Sequence, residues 1–512
     1  MNIPQNTYYN QQPMMPPQMG MPMRQRMTKG KLKIRNVFPK WLTQYSIVAY
    51  ILTLMLVSFM FSEYSLPWYY MLSGVVAVIA FFIYGSYSTK NLAIDRIRKE
   101  KTFEKKIFIL AFVLRLVWMV LIYVIFMSTY GDPFGFENHD TLFYDYLAGA
   151  LADAIDKGDY IAEIKGNLEA LDISDFGFPL YVSVIYWLTG KSIIAVRLLH
   201  CLWSSLTVIL IYRLTKRNFG DQTARIAAIF CALWFNFWYY CGSHLKEPLM
   251  DFLVVLFVEQ ADQMLRSRKF TAWKILPVFL VGLSLFGFRT PLAIVAIMAL
   301  VFTIVLSSQR VVSWGKKIIV GILAVALIGV SVGNQIEEQS RKLFDIAKSE
   351  QQKENMQWRS ERKDGANAFA KYAGASVFAP LIFTIPFPTM TQPYEGQDLQ
   401  QFLNGGNFVK NIISGFTVLA MVMLLITGKW RDHMLPLALT LGYLLVLTMS
   451  NFAQSERFHQ PVMHLEMIFA AYGVTLATTK PKYKRWFMYW CGLMFIAAII
   501  WNWFKLAGRG LV

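Results

Sequence analysis

Asp140 stands at the head of a helical repeat. After it, apolar or aromatic residues fall at Tyr144, Leu147, Leu151 and Ile155, on one face of a helix. The acids Asp145, Asp153 and Asp156 fall largely off that face. The pattern predicts an amphipathic helix lying along a membrane surface. Asp140 has two readings. It is an N-cap, a position where Asp is favoured, or it is a carboxylate at the membrane–water interface, where a general base for a lipid-bound substrate must sit. Glu137 and His139 flank it and could share that work, or join it in holding a divalent metal ion, for which the spacing is a weak signal.

Other chemistry-bearing residues cluster at the ends of apolar runs. GSHLKEPLMD offers His244, Lys246, Glu247 and Asp251, with Glu247 and Asp251 four apart on one helix face. FRTP offers Arg289, and SNFAQSERFHQPVMHLE offers Glu456, Arg457, His459, His464 and Glu466. Each alone fits an interfacial anchor or a satisfied ion pair. Together, the bases Lys246, Arg289 and Arg457 suit a phosphate or diphosphate headgroup. Ionisable side chains at membrane depth are functional candidates by default. Arg115 and Arg197 also sit in apolar runs; at about 12 Å from the inner end of its run, Arg115 must snorkel or pair inside a bundle.

The elements that must position these groups are membrane spans. Of 512 residues, 55% are hydrophobic and 16% charged; mean hydropathy is +0.39. At about 20 apolar residues per span, this fills about a dozen spans. A soluble enzyme, a fibrous protein, a mostly disordered chain and an outer-membrane barrel are excluded, the last because the apolar runs do not alternate. The expected fold is all-α, a polytopic helical membrane protein with thirteen spans near 42–61, 66–85, 107–128, 192–213, 224–243, 247–265, 275–288, 290–307, 317–334, 408–427, 434–450, 461–479 and 486–505.

Charge gives the orientation. Net charge is +18, yet residues 129–176 hold eleven acids and two bases, and the first acid of the chain is Glu63. Basic balance here marks the sides of a membrane rather than a nucleic-acid partner. With the N-terminus in the cytoplasm, every inner loop is basic, provided that residues 178–188 (FPLYVSVIYWL) do not cross fully. Residues 1–40 are expected to be a disordered, basic cytoplasmic segment. Its seven bases from Arg24 to Lys40 read first as a topogenic signal and second as a site for anionic lipid. Two long outer loops result, 129–191 and 333–406. The second includes a solvated, helical-looking stretch from Glu337 to Asp364. It also holds SVFAPLIFTIPFP, whose prolines argue against a regular span and for a re-entrant or interfacial lid. The four cysteines read as buried thiols.

The order of these features resembles the GT-C membrane glycosyltransferases, in the branch of the protein O-mannosyltransferases and the lipid A aminoarabinose transferase. LRLVW, the D-x-x-x-Y of Asp140–Tyr144, FPLYVSVIYWLTGKSIIAVRLL, GLSLFGFRTPLAIVAI and ERFHQPVMHLEMIFAAYG carry the likeness, over 107–479. The chain departs at His139-Asp140-Thr141, where many such enzymes have an Asp-Glu pair, at His464, often Pro in them, and in two extra N-terminal spans within 41–106. Residues 480–512 add a last span and a tail.

The resemblance implies amphipathic juxtamembrane helices in the first outer loop. It also implies transfer of a sugar from a polyprenyl-phosphate donor to a lipid, glycan or protein acceptor on the extracytoplasmic face of the plasma (inner) membrane, with inversion. Asp140, with Glu137, His139 and Tyr144, would be the catalytic group. Arg457, His459, Lys246 and Arg289 would bind the donor phosphate, while Glu247 and His244 would orient the acceptor or bind metal. The rivals are a lipid-linked glycan flippase, a polymerase or ligase using a diphosphate-linked donor, and a non-catalytic scaffold.

Overall fold

A computed structural model describes residues 40–87, 100–135, 139–170, 173–267, 271–308, 318, 322, 381–392, 399–449, 455–479, 482–507 and 510–512. The N-terminal basic segment, the stretch from Glu337 to Asp364 and nearly all of the expected span 317–334 lie outside the described residues.

The described residues form helices and no strand, the architecture of an all-α polytopic membrane protein. In chain order the main helices are α1 (Lys40–Met60), α2 (Trp68–Ile79), α3 (Glu100–Tyr130), α4 (His139–Lys157), α5 (Tyr160–Ala170), α6 (Ile173–Thr189), α7 (Ile193–Phe219) and α8 (Asp221–Leu233). After these come α9 (Glu247–Arg266), α10 (Ala272–Ser284), α11 (Thr290–Leu306), α12 (Asn404–Ile426), α13 (Met434–Met449), α14 (Glu456–Thr479) and α15 (Lys482–Ala507). Of the twelve other expected spans, eleven each fall on one helical stretch and the twelfth, 224–243, falls on a broken one. Six stretches are long and apolar enough to cross a membrane: Lys40–Met60, Trp68–Tyr87, Thr102–Tyr130, Ile193–Phe219, Asn404–Ile426 and Arg485–Ala507. Two shorter apolar helices are Ala272–Gly287 and Thr290–Leu306.

The expected span 224–243 is not one helix. α8 stops at Leu233, Trp234 is extended with ψ 120°, and a short helix Phe235–Tyr239 follows. The Trp234 indole donates to the Gly406 carbonyl across 2.8 Å. A broken helix leaves carbonyls without amide partners, and Arg115 supplies the donors. Fully buried on α3, it reaches the carbonyls of Cys231 (3.1 Å) and Ala232 (3.5 Å) and the Ser204 hydroxyl (2.7 Å). Arg115 pairs inside the bundle instead of snorkelling.

The apolar face of α4 is real, but protein covers it. Tyr144, Leu147 and Leu151 are buried, and the helix packs chiefly on α6. Leu142, Phe143 and Tyr146 are the apolar residues it leaves exposed.

The two N-terminal helices are built into the bundle, α1 on α15 and α2 on α12. α2 and α12 touch through backbone: a Cβ on Gly405 would sit 2.4 Å from the Gly74 carbonyl oxygen, so both positions need glycine.

The proline-rich stretch is held fast. Thr384 to Thr391 are buried. Its extended backbone has no helical partners, and buried side chains take their place. Asn411 donates to the carbonyls of Thr384 (2.5 Å) and Pro386 (3.2 Å), and Lys410 to that of Ile385. Asn502 donates to the Pro388 carbonyl at 3.0 Å and accepts from the Met390 amide at 2.7 Å. This stretch is a buried strap; Ala379 and Pro380, the start of the expected lid, lie outside the described residues.

Candidate active site

Four separate parts of the chain converge at the Glu247 end of α9. Helix α4 begins at His139, so Asp140 lies in its first turn. Its carboxylate accepts from Arg457 Nη1 at 2.5 Å, across 317 residues of sequence. Arg457 also gives its Nε to Glu247 Oε1. Arg289 Nη2 lies 3.8 Å from the same Glu247 oxygen, while its Nη1 donates to the Tyr443 hydroxyl at 3.1 Å and its guanidinium stacks over Phe458 at 4.5 Å. Asp140, Arg457, Glu247 and Arg289 thus form one chain of alternating charge, open to solvent at Asp140, whose side chain is 54% exposed, and closed at Glu247.

Local sequence sets each position. Pro248 follows Glu247 in the first turn of α9, where a missing amide hydrogen costs nothing, so the helix starts at Glu247 and the carboxylate sits by its positive end. Pro291 does the same for α11 directly after Arg289.

Beside this chain lies a second pair. Lys246 Nζ donates to Asp175 at 2.5 Å and to the Ser174 carbonyl at 3.0 Å. The Tyr144 hydroxyl donates to the same Asp175 oxygen at 3.0 Å. Burial alone would raise the Asp175 carboxyl, but the Lys246 ammonium outweighs it, and the net shift is downward. For Lys246 burial dominates and lowers the ammonium; Asp175 opposes that, and Arg289 adds to it. Burial, then the Asp175 charge, raises the Tyr144 phenol, so it stays a donor. α6 can carry Asp175 this close because it crosses the turn before Arg289 on glycine: a Cβ on Gly177 would meet the Gly287 oxygen at 2.5 Å. Asp175 was not among the sequence candidates. It is one of eleven acids in its loop, and no motif singles it out.

The structure does not bring every candidate here. His459 is fully buried and faces Lys410 at 3.2 Å. His244 is buried among the rings of Phe134, Phe178 and Tyr186, and burial drives its imidazole toward the neutral form. Glu137 and the side chain of His139 lie outside the described residues. Among the described residues no three His, Cys, Asp or Glu side chains come together to hold a metal, and the space between Asp140 and Glu247 is occupied by the Arg457 guanidinium.

The arrangement offers a half-exposed carboxylate beside a guanidinium, an ammonium and a second guanidinium. It can accept a proton and bind an anion within one contact network. Residues 176–333 match the family model described as dolichyl-phosphate-mannose-protein mannosyltransferase. That stretch includes Lys246, Glu247 and Arg289 and excludes Asp140 and Arg457. No curated protein matches the chain. Over the matched stretch the chain is similar to the dolichyl-phosphate-mannose-protein mannosyltransferases, membrane glycosyltransferases that use polyprenyl-phosphate-linked sugars.

Proposed function

We propose that the protein moves a sugar from a polyprenyl-phosphate donor to a lipid, glycan or protein acceptor by inverting displacement, with the site on the extracytoplasmic face. The observation that carries this is the junction of Asp140 with Arg457. A base and a phosphate-binding cation are in contact although 317 residues of sequence separate them. Asp140 takes the acceptor's hydroxyl proton; the acceptor oxygen bonds to the anomeric carbon as that carbon's bond to the phosphate oxygen breaks. The departing lipid phosphate gains negative charge, which Arg457, Lys246 and Arg289 stabilise. Without donor, Asp140 is tied to Arg457. A phosphate on Arg457 competes for that guanidinium and leaves Asp140 free to work. Glu247 holds Arg457 in place from the buried side.

The test uses purified protein in lipid vesicles with polyprenyl-phosphate mannose and other polyprenyl-phosphate hexoses and pentoses. Acceptor-dependent release of polyprenyl phosphate is the expected result. Movement of the donor between leaflets without release would favour the flippase instead.

A further inference from the structure

Behind Arg457 the network is left open. Glu247 spends Oε1 on Arg457, and its Oε2 has no partner. One turn along α9, about 6 Å deeper, Asp251 has an unpartnered Oδ1. Its Oδ2 lies 3.9 Å from His464 Nδ1, too far for a hydrogen bond. The Thr290 hydroxyl has no partner, and the His464 ring has no side-chain partner, its one contact being with the Gln460 backbone. All four residues are at least nine-tenths buried. Phe237 backs the His464 ring, stacked on it with the centroids 3.6 Å apart.

Buried polar atoms are nearly always paired; here the unpartnered atoms of Glu247 and Asp251 lie one turn apart, His464 approaches Asp251, and Thr290 follows the Arg289 that faces Glu247, which marks a place made for something else. Arg457 and Arg289 are already set against the carboxylates of Asp140 and Glu247, and the deeper group adds no cation of its own, which disfavours an anion there. Among the described residues no three His, Cys, Asp or Glu side chains converge to hold a metal. What matches carboxylate oxygens, an imidazole backed by an aromatic ring and a threonine hydroxyl is a neutral molecule with several hydroxyl groups.

We infer that Asp251, His464 and Thr290, with Glu247 Oε2, form the subsite that takes the hydroxyl groups of the donor's sugar. This rests on the reading of Arg457 as the phosphate contact, because a sugar joined to a phosphate held there falls within reach of the next turn of α9. Glu247 then serves both halves of the donor, one oxygen on each side.

The experiment compares binding of two ligands, a bare polyprenyl phosphate and the same lipid phosphate carrying each of several hexoses and pentoses, to the full-length protein in nanodiscs. Wild type is expected to bind at least one glycosylated form more tightly than the bare lipid. Asp251→Asn should weaken that form by roughly 10- to 150-fold, the span of a hydrogen bond to a charged group, and leave the bare lipid unchanged. Thr290→Val, a milder change, should weaken it by roughly 2- to 12-fold and carries the test if Asp251→Asn does not fold. Equal losses for both ligands, no loss for either, or no preference of wild type for any sugar would overturn the subsite; the second result would mean that only ordered water fills it. Failure of the phosphate reading shows separately, as Arg457→Ala binding bare polyprenyl phosphate like wild type.

Discussion

The two ends of α9 both set arginines against buried carboxylates, and they differ in whether the network closes. At the Arg266 end it does. Arg217 reaches Glu259 Oε1 at 2.7 Å, the Glu259 carbonyl at 3.0 Å and Asp262 Oδ2 at 3.1 Å. Arg266 takes the other Asp262 oxygen at 2.8 Å and the Asn218 amide oxygen at 2.9 Å, and it also donates to the Asp432 carbonyl at 2.6 Å. Ser308 binds Asp432 Oδ1 at 2.5 Å, and His433 stacks on Phe219 at 4.1 Å. Both oxygens of Asp262 are taken, and its side chain is 4% exposed. At the Glu247 end the same residue types leave orphaned atoms inside and an exposed carboxylate outside. A closed network welds helices together; an open one holds groups ready for a ligand. The difference between the ends is the reason to place chemistry at one and stability at the other.

The comparison can be broken at either end. The largest effect is expected from Asp262→Ala, which strands Arg217 and Arg266; losing one partner of a buried ion pair costs about 3 kcal/mol or more. A detergent melting curve should fall while transfer per folded molecule holds. Loss of specific activity without loss of stability would reverse the assignment. Next is Arg457→Ala. Removing a charge-assisted contact costs about 1.5–3 kcal/mol, so donor use should drop by roughly 10- to 150-fold. Arg457→Lys should recover only part of it, since an ammonium cannot make the forked contact.

His433 sharpens the contrast by pH. Burial, reinforced by Arg266, lowers its imidazole to about 4. Between about 6.5, the ordinary histidine value, and about 4, the unfolded chain binds a proton that the folded one refuses. Stability is therefore full above this window and falls as pH drops through it, by at most about 1.4 kcal/mol per pH unit. His433→Gln should flatten that slope, measured as melting temperature against pH; an unchanged slope would remove His433 as its source. The smallest effect is expected from Asp175→Asn. It leaves Lys246 buried with less compensation, so the apparent KM for donor should rise by about tenfold at most, the worth of one ordinary hydrogen bond, with kcat nearly kept. A fall in kcat with KM unchanged would move Asp175 from positioning to chemistry.

Much of the fold was legible because its signals are local. Eleven apolar runs each lie on one helical stretch, and the face from Tyr144 to Leu151 was visible as a repeat. The break at Trp234 was not, because α8 ends on a carbonyl supply met by Arg115, more than a hundred residues earlier. The strap was read as unfit for a regular span from its prolines; its anchors, Lys410, Asn411 and Asn502, lie on helices far along the chain. At the site, charge at the ends of apolar runs pointed to Lys246, Glu247, Arg289 and Arg457. It could not show that His459 turns toward Lys410, or that Asp175 turns toward Lys246. Side-chain direction on a buried helix depends on neighbours that no local pattern names.

The most direct measurement is on Asp140. Asn is nearly isosteric, and Asp140 lies within the first turn of α4 rather than at its N-cap, so Asp140→Asn leaves the start of α4 intact while removing the base. Purified Asp140→Asn should bind polyprenyl phosphate at least as well as wild type, since Arg457 loses a competing carboxylate. Its single-turnover transfer rate should fall by the roughly 10²–10⁴-fold that general acid–base catalysis contributes. Transfer at near wild-type rate with the protein folded and donor-bound would contradict the account and leave Asp140 as no more than a partner of Arg457.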